Sequence, residues 1–123
     1  EVSYIHSESY AAGELKHGTI SLIDEDMPVI SVATQTDVIP KTISNIVEVK
    51  SRGAKIILVC TDACARELKD GVADYVVEIP HTEELLMPIT AVVPLQLLAY
   101  YTSINRGNDP DKPRNLAKSV TVE

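Results

Sequence analysis

Hydrophobic positions along the chain fall into three short runs and two helically spaced stretches. The runs are Pro28-Val29-Ile30-Ser31-Val32-Ala33-Thr34, Lys55-Ile56-Ile57-Leu58-Val59-Cys60 and Tyr75-Val76-Val77-Glu78-Ile79. Each is short, rich in β-branched residues and bounded by turn residues, which predicts three strands. Between the first two, Ile39, Ile43, Ile46, Val47 and Val49 recur at helical spacing, and Gly53 follows the basic end of that segment as a helix stop. Asp62 to Leu68 predicts a shorter helix with Thr61 or Asp62 as its cap and Gly71 as its end. A long helix is expected from Glu83 to Asn105, capped by Thr82 and stopped by Gly107. Pro88 and Pro94 predict an irregular start to it, followed by a regular run through Leu95-Gln96-Leu97-Leu98-Ala99-Tyr100. Asn108-Asp109-Pro110-Asp111 reads as a turn, and Arg114 to Glu123 as a tail with Leu116, Val120 and Val122 as apolar anchors. At the front, Val2 to Tyr10 shows the partial alternation of a short strand or a helix end. Ala11 to Leu15 reads as helix interrupted by Gly13, with a further break at Gly18.

Strands alternating with helices imply βαβ units, a parallel sheet and an α/β fold. Composition sharpens this. With 123 residues the chain suits one domain, and 45% hydrophobic residues supply its core. There is no Phe or Trp and there are only five Tyr, so that core is built from Val, Ile, Leu and Ala, as in a parallel sheet buried on both faces. A net charge of −7 argues against nucleic acid. No apolar run approaches the roughly 20 residues a membrane span needs. No secretory signal opens the chain. It starts at Glu1 without an initiator Met, as a piece of something longer would. Cys60 and Cys64 match neither a redox CxxC pair nor a zinc knuckle and predict free thiols in a reducing compartment.

Chemistry-bearing residues concentrate at the two ends. His6-Ser7-Glu8 has the HxE spacing of zinc deaminases but lacks the PCxxC half of that motif. Glu14 and His17 form one ExxH pair, whereas a di-iron bundle needs two and further carboxylates. His17 stands at a break before Gly18, placed to reach a cleft and exchange protons near neutral pH, although an isolated loop histidine is ordinarily just that. Lys118 sits in the tail, where most lysines are solvated; a Schiff-base lysine must instead be desolvated or set beside another cation. Polar residues also gather where the strands end, at Thr34-Gln35-Thr36-Asp37, Thr61-Asp62 and His81-Thr82-Glu83. That edge is where open α/β sheets bind ligands, yet it is acidic and has no Gly-rich phosphate loop.

Three segments together carry a resemblance. They are His6-Ser7-Glu8-Ser9-Tyr10-Ala11-Ala12-Gly13-Glu14-Leu15-Lys16-His17-Gly18, Val93-Pro94-Leu95-Gln96-Leu97-Leu98-Ala99-Tyr100, and Asp111-Lys112-Pro113-Arg114-Asn115-Leu116-Ala117-Lys118-Ser119-Val120-Thr121-Val122-Glu123. In order and spacing they resemble the C-terminal part of the glutamine–fructose-6-phosphate aminotransferase (glucosamine-6-phosphate synthase) family along essentially the whole chain. The terminal PRNLAKSVTVE is its most specific element. One departure stands out: Thr19 follows Lys-His-Gly where the family usually has Pro, which changes the stiffness of the loop carrying His17.

The resemblance implies a three-layer αβα sugar-isomerase (SIS) domain with a mainly parallel sheet, incomplete on its N-terminal side. Residues 1–107 would be the second SIS domain without its first strand and long helix, and 108–123 an active-site tail. It implies Glu1 as the carboxylate that moves a proton between C1 and C2, His17 as the ring-opening residue of the neighbouring subunit's site, and Lys118 as the imine-forming amine. Ala117 would line the sugar, and Arg114 and Asn115 would belong to the closing tail. Implied partners are fructose 6-phosphate and glucosamine 6-phosphate, a second copy in a homodimer sharing the site through His17, and the glutaminase and first SIS domains of a longer chain. No metal, cofactor, nucleic acid or membrane is expected, and the location is cytoplasmic. The 123 residues alone are expected to be inactive. Two alternatives are a stand-alone SIS-type isomerase or deglycase, and a non-catalytic module sensing a sugar phosphate; Lys118 argues against the second.

Overall fold

The β-branched runs form strands where the sequence predicts them: β1 (Pro28–Ala33), β2 (Lys55–Thr61) and β3 (Tyr75–Ile79). They pair in parallel in the order β1-β2-β3, with Val29 opposite Ile56, Ala33 opposite Cys60 and Val59 opposite Val77. The computed structural model describes residues 1–114, and these form two compact units. One is Ser9–Pro94, which holds the sheet. The other combines Glu1–Glu8 with the chain from Leu95 onward.

Within the sheet unit, alternation decides which side chains meet the core. Ile56, Leu58 and Cys60 share one face of β2 and join Ala33 of β1, the helix α1 (Ile39–Lys50) through Ile39, Ile46 and Val49, and Cys64 of α2 (Asp62–Glu67) in one buried cluster. Val47 lies outside that stripe and is 47% exposed, so the helix buries a narrower face than the apolar spacing suggested. Thr61 precedes α2 but makes no capping hydrogen bond, and its buried hydroxyl has no partner. Residues 1–27 contain neither α-helix nor strand: where a helix over Ala11–Leu15 was expected there is a turn, then 3-10 turns at Leu15–His17 and Thr19–Leu22.

Two polar ties fix the register of the sheet. Asp26 N–H donates to Gly53 O at 2.8 Å and Lys55 N–H to Met27 O at 2.8 Å, joining the starts of β1 and β2. Gly53 adopts φ +95°, and a Cβ there would stand 3.0 Å from the Glu25 Cα; only glycine suits the turn. At the other edge the Asp74 carboxylate accepts the Ile56 N–H at 2.7 Å and pairs with Lys50, while Asp74 N–H donates to Ile56 O at 3.0 Å. One aspartate thereby joins the end of α1 to the first residues of β2 and β3.

The long helix begins with a 3-10 turn at Glu84–Leu86 and continues as α3 (Met87–Asn105), as the two prolines predicted. Thr82 does not cap it; its N–H instead donates to the Met87 sulfur at 3.3 Å. Pro88 lies in the first turn, whereas Pro94 sits inside the helix and leaves the Thr90 carbonyl without its helical donor. The C-terminus closes as expected at Gly107. Asn108 N–H reaches Ser103 O at 3.0 Å and Gly107 N–H reaches Ile104 O at 2.8 Å, the paired bonds of a Schellman stop with Gly107 at φ +74°. Contrary to the expectation drawn from uninterrupted runs, Glu84–Asn105 is long and apolar enough, by length and composition alone, to cross a membrane. Such all-round apolarity also marks a helix enclosed by protein.

Lys50 beside Asp74, followed by the Ile56 N–H, holds the carboxyl below the ordinary carboxylate range. A depressed folded-state value stabilises the fold above the unfolded value of about 3.9, and this is lost as pH falls through the folded value. Asp74→Asn is therefore expected to lower the melting temperature at pH 7 and to narrow its gap from the wild type below about pH 4. Thermal melts of both proteins from pH 7 to pH 3 measure this.

Candidate functional site

The terminal unit contains the C-terminal part of α3 from Leu95 onward, which is largely exposed. Ser103 is fully buried, and its hydroxyl donates to the Val2 carbonyl at 2.8 Å, binding the first residues to the helix. Tyr4 N–H donates to Glu1 O at 3.1 Å, closing a turn that presents Glu1 at the surface. Tyr4 itself adopts φ +52°, uncommon for a bulky side chain and a mark of a constrained position. Its hydroxyl accepts the backbone N–H of Arg114, and the Arg114 guanidinium carbon stands 4.2 Å from its ring centroid. Glu1 and Arg114, at opposite ends of the described chain, thus belong to one unit. Asn115, Ala117 and Lys118 lie outside the described residues.

His17 belongs to the sheet unit. It ends the 3-10 turn Leu15–His17, is exposed, and donates its backbone N–H to Glu14 O at 3.0 Å. Gly18 follows at φ +151° and accepts both the Ser21 N–H at 3.0 Å and the Ser21 hydroxyl at 2.7 Å. These bonds hold the loop that carries Thr19. His6 pairs with its neighbour Glu8, at 3.2 Å and in solvent, and the described residues contain no cluster of His, Cys, Asp and Glu able to hold a metal ion.

Two concavities open in the sheet unit. One, of about 480 Å³, is lined by Thr34, Thr36, Asp37, His81 and Glu84 beyond the strand ends. It has two carboxylates and no Lys or Arg in its lining, a poor cradle for phosphate. The other, of about 420 Å³, lies beside β1 and includes Tyr10, Gly13, Gln35, Lys41 and Asn45. Sequence reasoning had singled out the first edge but missed Tyr4 and Ser103. No local pattern marks them, because their partners are 110 and 101 residues away.

The comparisons with known proteins agree with this architecture. The SIS-domain family model matches residues 1–106, and the chain belongs to the SIS-domain family. All 123 residues are similar to glutamine–fructose-6-phosphate aminotransferases (isomerising): 55% identical to that of Clostridium perfringens, 54% to that of Thermococcus kodakarensis and 51% to that of Escherichia coli. In each case the match spans 20% of the longer protein. Among solved structures, the C-terminal domain of glucosamine-fructose-6-phosphate aminotransferase from Francisella tularensis superposes with a TM-score of 0.82 at 38% identity, over 88% of this chain and 30% of that one.

The two free thiols are shut away from solvent. Burial pushes Cys60 up to about 12, helped by the neighbouring Cys64, and burial likewise raises Cys64. Both are fully buried, and the thiolate is the reactive form. Under native conditions at pH 8 neither is expected to react with an aromatic disulfide reagent within minutes, whereas both should react at once in denaturant. Colorimetric thiol titration with and without denaturant tests this.

Proposed function

We propose that this chain is the second SIS unit and the C-terminal tail of an enzyme that makes glucosamine 6-phosphate and glutamate from fructose 6-phosphate and glutamine. The observation that carries the reading is the terminal unit, in which the turn bearing Glu1 and the stretch leading to Lys118 share one anchor, Tyr4. Similarity at 51–55% identity over the whole chain supports it.

In this reading His17 donates a proton to the ring oxygen and opens the sugar, a task suited to an imidazole. The Lys118 amine adds to the C2 carbonyl and water leaves, forming an imine. Ammonia, released from glutamine by the glutaminase part of the longer chain, displaces the lysine by transimination. Glu1 then takes the proton from C1 and returns it to C2. Ala117 lines the sugar, and Arg114 and Asn115 close the tail over it. His17 serves the neighbouring subunit's site, which makes the working enzyme a homodimer. The phosphate cradle lies in the first SIS domain, consistent with the acidic strand edge here, and the enzyme is cytoplasmic. The second SIS sheet is completed by a strand beyond β1, whose Ile30 and Val32 are 44% and 43% exposed.

Borohydride reduction in the presence of fructose 6-phosphate is expected to fix the sugar on Lys118 of the full-length protein, located by peptide mass spectrometry. Lys118→Met should abolish both the adduct and aminotransfer. An adduct on another lysine, or full turnover by the Met variant, would refute the assignment. The isolated 123 residues should show no isomerisation above background.

A further inference from the structure

Resting on the reading of His17 as the ring-opening acid, we infer that Ser21 is a positioning residue: its hydroxyl clamps Gly18, the pivot next to His17, and so limits the directions from which the imidazole approaches the ring oxygen. The loop is a series of short turns. Ala11 O accepts the Glu14 N–H at 2.8 Å, Glu14 O the His17 N–H at 3.0 Å, Gly18 O the Ser21 N–H at 3.0 Å, and Ile20 O the Ile23 N–H at 3.2 Å. Ile20, 7% exposed, enters the buried cluster on one side of His17 in sequence, and Leu15 packs against that cluster on the other. His17 stands exposed between these two anchors.

Gly18 is the loosest link between them. It lies at φ +151° and ψ −58°, a conformation that residues with side chains rarely adopt. A Cβ there would meet nothing among the described residues within 4 Å, so the backbone angles, not crowding, call for glycine. The freedom that permits those angles also permits the chain to swivel directly after the histidine. Two donors oppose the swivel, because the Ser21 N–H and the Ser21 hydroxyl, the latter at 2.7 Å, both end on Gly18 O. A carbonyl oxygen has two lone pairs and accommodates both. The N–H bond belongs to any 3-10 turn; the hydroxyl bond depends on the residue at this position. A neutral hydrogen bond of this kind biases the closed turn over the open one by about fivefold. The bias bears on the chemistry directly. Ring opening breaks the C2–O5 bond of the furanose: the His17 proton goes to O5, the C2 hydroxyl releases its proton to water, and C2 becomes a ketone. Proton transfer needs the acid within hydrogen-bond reach of O5, and a swivelling histidine is there less often.

The test uses the full-length protein with glutamine in excess and two substrates. One is fructose 6-phosphate. The other is 5-deoxyfructose 6-phosphate, which has no O5 and stays open-chain. Ser21→Ala removes the hydroxyl and keeps the N–H bond, Ser21→Thr keeps both donors, and His17→Asn removes the acid. Thermal melts first establish that each variant folds. Ser21→Ala should lower kcat/KM for fructose 6-phosphate by about two- to fivefold and leave that for the deoxy ketose unchanged, with Ser21→Thr at the wild-type level on both. An equal loss on the two substrates is the mark of a loosened fold and overturns the clamp. Full activity of Ser21→Ala on fructose 6-phosphate, where His17→Asn is impaired on it and not on the deoxy ketose, also overturns the clamp and leaves the functional reading intact. If His17→Asn loses nothing on fructose 6-phosphate, or loses as much on the deoxy ketose, His17 is not the ring-opening acid, and that part of the functional reading fails together with the clamp.

Discussion

A parallel sheet must be covered on both faces, and this constraint organises everything else in the chain. The central strand β2 satisfies it, with Ile56, Leu58, Val59 and Cys60 all buried. Its neighbours do not: Ile30 and Val32 of β1 and Tyr75 and Val76 of β3 stay exposed beside it. The long helix shows the same imbalance, apolar on every side yet with Val93, Leu97 and Tyr101 about half exposed or more. At about 25 cal/mol per Å² of apolar area, surfaces of this extent are rarely left to water in a working protein. They fit an incomplete αβα SIS domain, in a chain that matches 20% of the length of its relatives.

That constraint also explains what could be read from the residues alone. All three strands were legible because buried parallel strands are written as unbroken β-branched runs, bounded here by Met27-Pro28, Gly53 and the Asp74 turn. The stop at Gly107 was legible for a local reason, since a left-handed residue after an apolar helix points to glycine. The front of the chain was not. Ala11 to Leu15 has a helical composition, but with Gly13 in its middle and Gly18 just beyond, the stretch closes only a turn and short 3-10 segments, and residues 1–10 form no ladder. Membrane-like length was missed for a related reason: counting uninterrupted runs overlooks a helix in which Thr, Gln and Pro break the run without adding charge.

The candidate site divides along the same line. His17 and Lys118 carry chemistry in their residue type and stand in segments a sequence can mark. Tyr4 and Ser103 act only through partners more than a hundred residues distant, and distance in sequence hides them. Asp74 is a comparable case in the sheet unit. As an aspartate before a strand it reads as an ordinary turn residue, yet it receives the Ile56 N–H and the Lys50 ammonium and fixes two registers at once.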